Sequence, residues 1–141
     1  MDDYLRETAA SGVAKTVYME VDVAPEQRVK EAQFVSELCA REDNPLAAAI
    51  IAGSPGAETF VHYIDQFKDS EYIMGIRQVL HVPETKRRAC LEPRFVEGIH
   101  YLGELGLSFD LCMRPSELGD ALELAEQCPE TLFILDHCGN A

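Results

Sequence analysis

Five runs rich in apolar and β-branched residues, VAKTVYMEV, PLAAAIIAG, EYIMGIRQVLHV, LSFDLCM and LFILD, recur along the chain with a helical stretch between each and the next. Strands separated by helices need crossover connections, and a crossover makes neighbouring strands parallel. Parallel strands are covered on both faces, which is why PLAAAIIAG reads as a continuous apolar run and not as an alternation. The order is a helix, four strand-helix units and a fifth strand, an α/β pattern with two possible architectures. An open doubly wound sheet is complete with five strands, whereas a closed (β/α)8 barrel needs about 250 residues and eight strands. The length of 141 residues favours the open sheet. The polar punctuation favours the barrel. Glu20, Arg77, Asp110 and His137 each fall toward the carboxyl end of a different strand, where barrel enzymes gather catalytic groups, and no GxGxxG loop marks a switch point.

The helices follow from spacing. A first helix over the opening ten residues stops at Gly12, and Pro25 suits the first turn of the next, with Val29, Ala32, Val35 and Cys39 on its inner face. Phe60, Ile64 and Phe67 mark a third helix, and Phe95, Ile99 and Leu102 a fourth that ends at Gly106. Ser116 is placed to cap a fifth, with Leu118, Ala121, Leu122 and Ala125 turned inward. Between the third strand and the fourth helix, PETKRRACLE reads as a loop longer than usual, the kind that carries function. No repeat or low-complexity segment divides the chain, so residues 1–141 form one domain.

Charge narrows the partners. With 25 Asp and Glu against 12 Lys and Arg, the formal charge of −13 repels phosphate backbones and anionic lipid. No apolar stretch approaches the ~20 residues of a membrane span, and the acidic start MDDYLRETAA is unlike a signal peptide. A cytoplasmic protein with a small-molecule substrate, and with no nucleic-acid or membrane partner, is the expectation. Five cysteines without a CxxC spacing read as reduced, mostly buried thiols, and their spacing gives no sign of a thiolate zinc site.

Four residues are candidates for chemistry. His137 follows a buried strand, where an imidazole can ligate a metal, accept a proton or simply bond a backbone carbonyl. If that strand continues, Asp136 points to the opposite face, so His137 is the one expected in a common site. Arg77 presents a forked donor that suits a substrate carboxylate or carbonyl, or an internal pair with Asp110 or Glu20. Asp110 interrupts an apolar strand and can orient a ligand or pair with Arg77. Glu20 has Asp22 close by, and a solvated strand end is its simpler explanation. His62 and His100 fall on helices as surface or packing residues, and His81 has a weaker claim than His137.

These residues carry a family likeness. GIRQVLH, and then EPRFVEGIHYLGELGLSFDLCMRPSELGDALELAEQCPETLFILDHCGNA, closely resemble the second amidohydrolase family, barrel hydrolases that include sugar-lactone and pyrone-dicarboxylate lactonases. The earlier GVAKTVYMEVDVAPEQRVKEAQFVSELCARED is similar to that family's second strand and helix, and GIRQVL, LSFDL and FILDHCG are the most specific pieces. The resemblance implies a partial TIM barrel, about strands two to six of eight, and hydrolysis of a sugar-type or dicarboxylate lactone. It places His137 on the family's active-site histidine, a metal ligand if a metal is bound. It places Arg77 on the arginine after the fourth strand and Asp110 on the acid of LSFDL. With Glu20 at its strand end, Arg77 and Asp110 make the expected substrate-binding set. The complete family fold implies a divalent metal such as zinc, but none is expected of this chain by itself. The family's His-x-His pair has no counterpart, and its late aspartate would lie beyond Ala141. The expectation is therefore a fragment inactive alone, prone to self-association through open sheet edges. The alternatives are a non-catalytic remnant or a half-barrel that pairs with another chain, and an open-sheet binding module.

Overall fold

The computed structural model describes residues 2–140. Five strands, β1 (Thr16–Met19), β2 (Leu46–Ala52), β3 (Ile73–Val79), β4 (Ser108–Cys112) and β5 (Phe133–Leu135), form one sheet in sequence order. Each pairs in parallel with the next, and the sheet curls into a half-barrel flanked by helices. The flat, twisted sheet of an open-sheet binding module is not what forms.

Period-two alternation decides which residues meet. Ala49, Ile51, Ile76, Phe109 and Leu111 face the helices and join the main apolar core with Ala32 and Val35 of α2 (Arg28–Cys39) and Phe95, Ile99 and Leu102 of α4 (Pro93–Glu104). The intervening positions face the other way. Across β2, β3 and β4 the register aligns Ile50 with Gly75 and Ser108, and Ala52 with Arg77 and Asp110. Val79 aligns with Cys112 in the next row. Ile50, Ala52 and Cys112 are buried, yet they lie outside the helix-facing core. The concave face is therefore apolar at the amino end of the strands and becomes charged toward the carboxyl end.

The helices explain how this face is held. The first, α1 (Asp2–Thr8), buries no residue, and the chain leaves it through Gly12 at φ +73°, a conformation that suits glycine. Before α2 and before α5 (Leu118–Gln127) a 3-10 turn opens the helix, Pro25–Gln27 and Pro115–Glu117 respectively, each with proline in its first turn. Ser116 lies within the second of these turns and makes no side-chain cap, contrary to the sequence expectation. The α5 stripe is also rotated from the expected one. Leu124 and Ala121 are buried, whereas Leu122 is exposed, because the inward row runs 117, 120, 121, 124, 128 and takes in Glu117 and Asp120, which pair with Arg114 and Arg88. The third helix, α3 (Phe60–Ile64), is a single turn and a half, and Phe67 is buried just beyond it. Gly98 lets α4 approach the GSPG turn after β2, since a Cβ there would sit 2.5 Å from the Pro55 carbonyl oxygen. No helix among the described residues is long and apolar enough to cross a membrane.

Candidate functional site

Arg77 anchors the charged end of the concave face. Its Nε donates to Glu20 Oε1 at 2.6 Å, its Nη2 to the Glu20 backbone carbonyl at 2.8 Å, and its Nη1 to Asp136 Oδ2 at 3.2 Å. The side chain is 11% exposed. A guanidinium offers five N–H donors in a fixed fork, so three of them tie the end of β1 to the end of β5 across β3 and two remain for a ligand. Of the two ion pairs considered from the sequence, the one with Glu20 forms. Asp110 lies beside Arg77 in register without a direct bond, and the second carboxylate is Asp136.

Two expectations are corrected here. Glu20 is not a solvated strand end: it is 2% exposed, with Oε1 on Arg77 and Oε2 accepting the Asp22 N–H at 2.6 Å. Behind it, Tyr18 and the Val21 N–H both donate to Glu31 of α2, which fixes the chain on either side of Glu20. Burial and the Glu31 carboxylate push the Tyr18 hydroxyl up to about 12, so it stays a donor. Asp136 is not turned away. Asp110 pairs with Ile134, and two residues on from Ile134 the same face returns, so Asp136 joins Arg77 while its own N–H bonds the Leu111 carbonyl at 3.2 Å. The strand does not continue past it. His137 and Cys138 adopt φ of +48° and +52°, and this left-handed turn brings the exposed His137 back over the same end of the sheet.

Asp110 is 1% exposed in the middle of β4. Burial first, and then the nearby Asp136 carboxylate, push its carboxyl up to about 6, against the opposing pull of the Ser108 hydroxyl and Arg77. Three carboxyl groups, Glu20, Asp110 and Asp136, therefore surround one largely buried cation.

Cysteine enters where the spacing between cysteines gave no signal. Cys112 is two residues beyond Asp110 and shares its face. Its Sγ, a carboxylate oxygen of Asp136 and a ring nitrogen of His137 all lie within 4.8 Å of one another. Alternation along LSFDLC could have flagged Cys112, but spacing between cysteines could not. Thiolate, carboxylate and imidazole are all zinc ligands, so the donor set fits such an ion. The other cysteines are unpaired thiols, with Cys39, Cys90 and Cys128 buried and Cys138 exposed, as their spacing predicted. His62 lies on α3 and His100 on α4, away from this cluster. The long loop after β3 is pinned to α5. Arg88 bonds Asp120 and Glu123, and Arg114 bonds Glu117 and the Val82 and Thr85 carbonyls.

Charged residues from several strands gathered at the carboxyl end of a curved parallel sheet define the class: a (β/α)-barrel architecture with its site at the usual end. The chain belongs to the amidohydrolase family, whose model matches residues 1–141. Among solved structures it is similar to Amidohydrolase 2 from Bifidobacterium longum subsp. infantis, with 32% identity and a TM-score of 0.68 over 99% of this chain and 50% of that one. It also shares its fold with an amidohydrolase from Burkholderia multivorans with bound zinc, at 17% identity and a TM-score of 0.81, covering 99% of this chain and 47% of that one. The apo form of the Metarhizium anisopliae IDCase aligns at 12% identity and a TM-score of 0.75, covering 98% and 47%. The chain thus spans about half the length of the solved structures it matches. Comparison with curated protein sequences found no match.

Proposed function

We propose that this chain supplies the substrate-holding part of a barrel hydrolase that opens a lactone, of sugar or dicarboxylate type. The observation that carries the reading is the largely buried Arg77, held between Glu20 and Asp136 with two N–H donors left over, beside Asp110 at the carboxyl end of the strands. Ester hydrolysis at neutral pH needs an activated water and donors aimed at the developing oxyanion. Arg77 offers the donors for a lactone carbonyl or a substrate carboxylate. Glu20 and Asp136 fix its plane, so the fork is oriented before substrate arrives. Asp110 hydrogen-bonds the substrate from the adjacent strand. His137, exposed at the mouth of the site, takes the proton from water. Where a divalent metal such as zinc is bound, His137 would hold it in place of acting as the base, and the ion would polarise the carbonyl and lower the pKa of a coordinated water.

The test compares two proteins: the chain itself, and a full barrel in which residues 1–141 replace the matching half of the Bifidobacterium longum amidohydrolase. The chain alone is expected to hydrolyse sugar-type lactones at background rate, and the full barrel above it. In the full barrel, His137→Ala lowers kcat by about 100-fold or more, the range of a lost general base. Arg77→Lys mainly raises KM, because a point charge replaces the fork. Turnover insensitive to His137→Ala, or a barrel that cleaves amides and no lactone, would overturn the reading.

A second reading rests on the sheet edges. Val17 on β1 is 60% exposed, and Ile134 and Leu135 on β5 are 42% and 48% exposed, so both edge strands present apolar side chains. A half-barrel that pairs with another chain would cover them. Sedimentation velocity should then show the purified chain self-associating with concentration, whereas a monodisperse monomer over the accessible range would argue against it.

A further inference from the structure

One arginine outside the proposed activity has no charged partner. Arg28 opens α2 and is half-buried in a chain whose formal charge is −13. Every other arginine among the described residues pairs with a carboxylate. Arg28 instead donates from Nη1 to the Ser54 hydroxyl at 2.8 Å, while its Nε is buried with no hydrogen-bond partner. Glu31, one turn along α2, is taken by Tyr18 and the Val21 N–H. Arg28 and Ser54 border a cleft of about 360 Å³ between α2 and α3, at the carboxyl end of β2. Pro25, Val29, Ala57, Phe60 and Tyr63 line most of the rest. The cleft is on the helix side of the sheet. Gly53, at its floor, directs its Cβ position toward Ile76 and Phe60 of the helix-facing core, whereas Ala52 before it shares the row of Arg77. We propose that this cleft binds a small monocarboxylate with an apolar body, its carboxylate seated along the Nε–Nη2 edge of Arg28. The site goes beyond the lactone reading and does not rest on it.

Three arguments lead to that ligand. The first is the stranded donor. A buried N–H of a charged group without a partner is costly, and a carboxylate on the Nε–Nη2 edge meets both of its donors with two oxygens in the side-on fork geometry. The second is charge. Arg28 is the one cation lining the cleft among the described residues, so it balances a single negative charge and leaves a phosphate dianion half uncompensated. The third is the walls. Proline, valine, alanine and two aromatic rings offer an inorganic ion nothing, but they bury the body of an organic acid, the usual division of labour in a ligand cleft. The site is also set before a ligand arrives. Ser54 fixes one end of the guanidinium, and the Tyr63 hydroxyl donates to the Ala52 carbonyl at 2.7 Å, which holds its ring in the wall. Burial pushes that hydroxyl up, so it stays protonated and adds no negative charge beside the carboxylate.

The probe is para-fluorobenzoate, titrated with the full chain and followed by fluorine NMR. One saturable site is expected, with amide shifts of the isotope-labelled chain grouped on Gly53, Ser54, Ala57 and Tyr63. Arg28→Gln weakens binding at least tenfold, the scale of a lost charged hydrogen bond, and Ser54→Ala weakens it less, about two- to fivefold, since the hydroxyl only orients the guanidinium. Arg77→Lys, on the other face of the sheet, leaves it unchanged. The neutral isostere para-fluorobenzamide binds at least tenfold more weakly than the benzoate, and inorganic phosphate does not displace the benzoate at equal concentration. Circular dichroism checks that each variant is folded, and the benzamide comparison needs no variant at all. Absence of saturation, shifts grouped on Glu20 and Asp136, binding by Arg28→Gln as tight as the parent, benzamide binding as tight as benzoate, or displacement by phosphate would each overturn the site. Since binding and not turnover is read, failure here bears on the cleft alone, and failure of the lactone assay on the proposed activity alone.

Discussion

Arg77→Met is expected to lower the unfolding free energy of the chain by about 3–5 kcal/mol, the usual cost of removing one partner from a buried ion pair. The reason lies in what stays behind. Glu20 and Asp136 are 2% and 9% exposed, so neither can recover water for a charge that has lost its guanidinium. Glu20 would keep only the Asp22 N–H on Oε2, and its backbone carbonyl would lose the Nη2 donor as well. Methionine fills most of the space, so the loss reports on charge and hydrogen bonding more than on a cavity. Adding Glu20→Gln and Asp136→Asn to Arg77→Met removes the stranded charges and should restore most of the stability, the non-additive signature of groups that act together. Urea unfolding of the parent, the single variant and the triple variant provides the check. A loss below about 1 kcal/mol for Arg77→Met is what an exposed pair gives, and it would mean the triad is solvated.

Phe109→Ala should cost a similar amount, about 3–5 kcal/mol, for a different reason. Phe109 is fully buried in β4 on the helix-facing side. Its ring meets Phe95 of α4 edge-on at 5.7 Å and Phe133 of β5 at 6.5 Å. Truncation leaves a cavity where a helix and two strands converge, and both aromatic contacts go with it. Phe34→Ala is the matched control: Phe34 is 58% exposed on α2, and its truncation should fall within about 0.5 kcal/mol of the parent. Comparable losses from the two substitutions would contradict the packing described above. The Phe109 effect should also reach the site, because Asp110 is the next residue on the same strand and Phe133 holds β5, which delivers Asp136.

The parallel pairing and the helical stripes of α2 and α4 were legible because each rests on a local pattern, whereas the strand order followed only from the family resemblance. A crossover forces parallel strands whatever lies elsewhere, and Ala32, Val35 and Cys39 repeat at a period set by the helix itself. The stripe of α5 was misread at Leu122 because its inward row includes the acidic Glu117 and Asp120, buried against Arg114 and Arg88, which an apolar pattern does not count. At the site, the sequence offers Arg77 an internal pair with Glu20 or Asp110; Glu20 takes it and Asp110 falls beside them. Asp136 was expected on the opposite face, and Cys112 was not singled out.

The difference between these outcomes is one of range. The sequence by itself determined the class of fold, the end of the strands where charge would gather and the residue types available there, since periodicity and turn chemistry act between near neighbours. Only the tertiary structure decided which carboxylate Arg77 would take. Its partners lie 57 and 59 residues away, and their meeting depends on the register of separate strand pairings. One left-handed turn after Asp136 then settled the rest. It ended the alternation that would have separated Asp136 from His137 and folded both onto the end of β4 beside Cys112. A one-residue change of register reverses which face every side chain of a strand occupies, so a site assembled across strands is fixed by the pairing and not by the residues alone.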